Sequence, residues 1–195
     1  MNNAIKVCYL DDDHDLLLVD YLQNKYQDNF FEIKVSPSDK YDSLLSKIKK
    51  SKCDVLIIDS ILYKNATRAS SKLTGEQLEL LLMNEIPSIL TIIISQNDDV
   101  EKYNYINKYS TRKHKITCEK YYDSHLNTII DFYVKKSSRM KDANEKEIKN
   151  NDDLDEYTKE LIDCNINKLP RYDLRKQDID DLINKFRKIE EYVNK

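Results

Sequence analysis

Apolar residues in this chain fall into short clusters separated by amphipathic stretches. Ile5 to Leu10, Phe30 to Val35, Val55 to Ile58 and Ile89 to Ile94 are too short for helices and rich in apolar residues, Val55 to Ile58 wholly so. Each predicts a strand, and the all-apolar Val55 to Ile58 predicts one buried on both faces, as in the middle of a parallel sheet. Between them lie segments of helical period. Asp13 or His14 begins one that runs to about Tyr26, with a broad apolar face of Leu16, Leu17, Leu18, Val19, Tyr21 and Leu22. Ser38 or Asp39 can cap a second that carries Tyr41, Leu44, Leu45 and Ile48. Thr74 with Gln77 forms a capping box before the Leu78 to Met83 helix, which Pro87 closes. Asp98 to Tyr109 is a weaker, tyrosine-rich helix, Lys115 to Cys118 a short fifth strand, and Leu126 to Lys135 a fifth helix. Strand–helix alternation repeated five times predicts an α/β, three-layer sandwich with a five-stranded parallel sheet.

The pattern changes after this. Residues 137–151 are almost all polar and read as a linker or, preferably, as the solvated continuation of the fifth helix. Two amphipathic segments follow, one with Leu154, Tyr157, Leu161 and Ile162, the other with Ile179, Leu182, Ile183, Phe186, Ile189 and Val193; Leu169-Pro170 separates them. We divide the chain into a sandwich domain, 1–138, and a helical extension, 139–195. Helices this short cannot bury their stripes alone, so they pack on the sandwich or on another chain, for example as a homodimer.

Composition narrows the function. The chain has 195 residues, a formal net charge of -3 and 34% charged residues. No apolar run approaches the ~20 residues that span a bilayer. The extension carries twelve basic against fifteen acidic residues over 140–195, which is unlike a face that reads DNA phosphates. Cys8, Cys53, Cys118 and Cys164 lie far apart and form no C-x-x-C pair, so we expect a reducing cytosol and no thiolate metal site. A single glycine, Gly75, excludes a glycine-rich phosphate loop. His14, His114 and His125 are scattered and expected to be solvated.

The candidate chemistry lies where strands end. The first ends in Asp11-Asp12-Asp13, the third in Asp59 and the fourth in Ser95. Open α/β sheets bind ligands beyond the carboxyl ends of their strands. Two adjacent carboxylates there repel unless a cation joins them. Asp13 is expected instead to cap the following helix.

This order of groups resembles the receiver domain of two-component response regulators over roughly residues 4–136. Tyr-Leu-Asp11-Asp12-Asp13 resembles the acidic cluster, Leu-Ile-Ile-Asp59 the phosphoacceptor strand, Ile-Ile-Ile-Ser95 the switch strand, and Thr-Cys-Glu-Lys120 the strand with the receiver lysine. The resemblance implies a flavodoxin/CheY-like fold and phosphorylation of Asp59 by a histidine kinase or phosphotransfer protein. It also implies Mg²⁺ held by Asp12, Asp59 and the backbone carbonyl of Ile61, with Asp11 acting through water. Lys120 would pair with the phosphoryl group, and Ser95 would hydrogen-bond to it. The output would be a protein partner, with no membrane or direct DNA contact, and no catalysis beyond self-phosphorylation and self-dephosphorylation.

Four departures stand against the pattern. The loop after Asp59, residues 63–73, is about eight residues longer than usual, and long loops are commonly functional. Gln96 replaces the small residue after the switch hydroxyl. Tyr121 replaces the proline after the lysine, and Thr117 stands where an aromatic is expected three residues before it. A degenerate receiver that binds proteins without phosphorylation is therefore the alternative. A metal-dependent phosphohydrolase built on the same acids is less well matched by the run of three aspartates.

Overall fold

A computed structural model describes residues 5–63, 73–96, 105–150 and 154–167. The loop at 64–72, the first part of the expected 98–109 helix, the Leu169-Pro170 break and the second amphipathic segment lie outside the described residues. The sheet has five parallel strands in the order β2-β1-β3-β4-β5. These are β1 (Val7–Asp11), β2 (Phe30–Lys34), β3 (Val55–Asp59), β4 (Leu90–Ser95) and β5 (Ile106–Asn107). Every residue of β1 and β3 is buried, as their unbroken apolar sequences require.

Helices cover both faces. Leu44, Leu45 and Ile48 of α2 (Tyr41–Ser51), with Leu78 and Leu82 of α3 (Gly75–Glu85), pack on Cys8, Leu10, Leu56 and Ile58. Leu18 and Leu22 of α1 (Leu16–Tyr26) pack on the opposite face against Val7, Tyr9, Val55 and Ile57. Tyr122 of α4 (Cys118–Tyr122) and Ile130 of α5 (Thr128–Asn150) complete that layer, joined by a π-helical turn at Asp123–Asn127. This is the expected three-layer α/β sandwich.

Local corrections follow from side-chain hydrogen bonds. The cap of α1 is Asp15, which accepts from the Leu18 N–H at 3.2 Å; the amide of Asp13 instead donates to Asp11 Oδ1. Neither Ser38 nor Asp39 caps α2, because Asp39 is engaged by the Ser36 amide, the Ser43 hydroxyl and Lys47. The capping box at Thr74 and Gln77 forms as expected.

The largest correction concerns the fifth strand. Residues 115–118 are not a strand, because Thr117 accepts from the Lys120 amide and caps α4. The fifth strand is Ile106–Asn107, inside the stretch expected to be helical. The polar residues after 137 continue α5 unbroken to Asn150. There the Ser137 hydroxyl and the Lys141 ammonium donate to buried Asp54, at 3.3 and 2.9 Å, beside the Lys6 amide at 2.9 Å. Residue 138 thus lies inside a helix bonded to the sheet.

Candidate phosphoryl and cation site

In the order β2-β1-β3-β4-β5 the chain leaves β1 in opposite directions on its two sides, which opens a crevice at the carboxyl ends of β1 and β3. Asp11 ends β1 and Asp59 ends β3, both buried. Asp12 follows at once, and one carboxylate oxygen from each of the three lies within 4.8 Å of the others.

A lysine closes the group, but it is Lys108 and not Lys120. Lys108 follows β5 directly, and its amide donates to the Ser95 carbonyl at 2.7 Å. Its side chain is 2% exposed, and its Nζ donates to Asp59 Oδ2 at 2.8 Å and Asp11 Oδ2 at 3.0 Å. Lys120 is exposed on α4, away from these carboxylates. Tyr105 stands three residues before Lys108, as Thr117 does before Lys120. The residue after the lysine is Tyr109, whose amide donates to the Tyr122 hydroxyl at 3.0 Å.

Three further residues, none expected at the site from sequence, shape it. Tyr9 is fully buried in β1, donates its hydroxyl to Asp11 Oδ2, and places its ring 5.6 Å from Lys108 Nζ. Ser60 donates its hydroxyl to Ser95 Oγ at 2.9 Å, so the β4 hydroxyl sits next to the acceptor strand. Gly75 comes so close to the end of β3 that a Cβ there would lie 2.3 Å from the Asp59 carbonyl oxygen. Ile61 lies two residues beyond Asp59, and its amide makes a long 3.4 Å hydrogen bond to Asp59 Oδ1. Gln96 lines the mouth of the site with Lys108 and Tyr109.

The charges are arranged asymmetrically. Burial pushes the Asp59 carboxyl up to about 6; Lys108 opposes the rise and the Asp11 charge adds to it. Burial also acts to raise Asp11, but Lys108, the Tyr9 hydroxyl and the Asp13 amide outweigh it and hold the group below the ordinary carboxylate value. Lys108 is held above its ordinary value by both carboxylates despite burial. With all three acids ionised, the lysine leaves the group two negative charges in excess. That excess, on hard oxygen donors, suits a divalent cation of the magnesium or calcium type.

Because the folded value of Asp59 lies above its unfolded one, the stability tied to its proton is complete below about pH 4. It is lost as pH rises through about 6. Asp59→Asn, which cannot ionise, is therefore close to wild type in stability near pH 4. At pH 7.5 without divalent ions it is more stable by about 1–3 kcal/mol. Guanidinium unfolding in EDTA at the two pH values measures this, and a gap that fails to widen with pH would rule out Asp59 as its source.

No protein-family model and no curated protein matches the sequence. Among solved structures, NtrX from Brucella abortus, determined in complex with ADP, is similar at 15% identity with a TM-score of 0.48. The similarity covers 72% of this chain and 29% of that one, so the chain spans less than a third of that protein's length. The fold assignment rests on the order and pairing of the strands.

Proposed function

We propose that this chain is a signalling receiver that takes a phosphoryl group on Asp59 and passes the change through its helical extension to a protein partner. The observation that carries the reading is the bridging of Asp11 and Asp59 by one buried lysine, with Asp12 within cation-sharing distance. A histidine kinase or phosphotransfer protein of the cytosol would be the donor. An Asp59 carboxylate oxygen attacks the donor's phosphorus, and the bond from phosphorus to the donor nitrogen breaks, with the electron pair leaving on that nitrogen.

Mg²⁺, held by Asp12, Asp59 and the Ile61 carbonyl with Asp11 acting through water, would neutralise charge on the phosphoryl oxygens. Lys108 exchanges a carboxylate for a phosphoryl oxygen, in the role first assigned to Lys120. Ser95 turns its hydroxyl to the same group. Apart from gaining and losing this phosphoryl group, the chain performs no catalysis in this reading.

Intact mass after incubation with acetyl phosphate and Mg²⁺ is the test. Wild type is expected to gain one phosphoryl group, whereas Asp59→Asn and wild type in EDTA gain none. A wild type that stays unmodified, and is also unresponsive to beryllofluoride, would sink the reading. It would favour a phosphorylation-independent binding module, a role to which Gln96 at the site mouth lends support. Phosphate release from small phosphoesters would instead indicate a phosphohydrolase.

A further inference from the structure

The fifth strand is two residues long and pairs only with Ile94 and Ser95, so the outer edge of β4 from Leu90 to Ile93 has no strand beside it among the described residues. Edges of this kind are normally covered. Here the edge floors a groove of about 660 Å³ between α3 and α5. Its walls are Leu80 and Met83 of α3 and Ile129 and Tyr133 of α5, with Ile92 and Ile93 below. Leu80 and Met83 are 62% and 60% exposed, an unusual state for two large apolar side chains on adjacent turns. Glu76 and Glu79 give the groove an acidic rim, and Tyr105 lies at its end next to β5.

We propose that the groove is covered by residues 179–193 of the same chain, docked as an amphipathic helix. Ile179, Leu182, Ile183, Phe186, Ile189 and Val193 share one helical face, long enough to follow a groove between two helices. The reach is sufficient. Five positions separate the end of α5 from α6 (Glu156–Asn167), and the two helices are in contact. From Asn167, the eleven residues before Ile179 span up to about 36 Å when extended. That matches the whole length of α5, about 35 Å, and so brings Ile129 and Tyr133 within range.

Charge agrees with this occupant. Residues 168–195 hold eight basic and six acidic side chains, a balance of +2 that leaves -5 on the preceding 167 residues. Lys185, Arg187 and Lys188 flank Phe186 and can meet the Glu76–Glu79 rim. The docking does not depend on whether Asp59 accepts a phosphoryl group. If it does, a helix resting beside Tyr105 and the strand that ends in Ser95 lies next to the residues that would move.

A photo-crosslink tests the proposal in the full-length chain. Benzoylphenylalanine replaces Met83, an exposed side chain whose loss leaves the core intact, and peptide mapping follows irradiation. The expected product has the mass of one chain, with the link inside 179–193. In a Phe186→Asp background its yield drops at least about tenfold, as loss of a buried aromatic contact requires. A product of two chains, meaning that a second copy fills the groove, would overturn the proposal. So would a link to residues 97–104, or no link at all.

Discussion

Lys108→Met is expected to cost about 3–5 kcal/mol of stability at pH 7.5, since it strands two buried carboxylates that shared one cation. Its ammonium lies 2.8 Å from Asp59 and 3.0 Å from Asp11, with its side chain 2% exposed, so both carboxylates lose a close, buried counter-charge. Lys120→Met, on an exposed helical turn, stays within about 0.5 kcal/mol of wild type. Urea midpoints of the two variants measured side by side decide the matter. Equal effects would mean that Lys108 does not hold the acid group together. Acid should also relieve the Lys108 variant more than wild type, because protonating Asp59 removes the repulsion that the methionine leaves behind.

Gly75→Ala is the second large effect expected. The added methyl carbon would meet the Asp59 carbonyl oxygen at 2.3 Å and two further backbone atoms at 3.0 Å. None of these belongs to a side chain that can rotate away, so α3 or the end of β3 must shift. Overpacking of this kind costs about 1–3 kcal/mol, and here the strain falls on the residue that carries the proposed acceptor. The variant should therefore lose phosphorylation rate with acetyl phosphate as well as stability. A variant that is destabilised yet phosphorylates at the wild-type rate would show that α3 gives way instead of Asp59.

The strands and carboxylates were legible for a specific physical reason. A strand buried on both faces leaves an unbroken apolar run, and a polar residue ending such a run announces the sheet's edge, as at Asp11, Asp59 and Ser95. The lysine was not legible by that rule, because β5 is two residues long and Ile106 sits among tyrosines whose spacing imitates a helix. Ile116-Thr117-Cys118 looked like the strand instead. β-branched residues favour strands in general, yet a threonine whose hydroxyl accepts from an amide three residues on starts a helix. Under the receiver resemblance, the signal that would separate the two lysines is Tyr105, an aromatic three residues before Lys108, where Lys120 has Thr117.

Tyr9 and Ser60 were out of reach for another reason. Each matters through a partner set by geometry, Tyr9 through Asp11 and Lys108, Ser60 through Ser95 on the neighbouring strand. No single-chain periodicity encodes such pairings. The polar stretch after residue 137 was readable as helix, but its bond to the sheet was not, since the partner carboxylate lies 83 residues away.

That bond makes β3 a beam with an acid at each end. Asp59 meets its lysine from the short strand next door, and Asp54 meets Lys141 from the far side of the polar boundary. A cut at residue 138, where composition suggests a seam, would remove the counter-charge of a carboxylate that is 1% exposed. A cut that keeps Asp54 paired must therefore fall beyond Lys141, and whatever the extension does, it starts from an anchor under the same strand that carries Asp59.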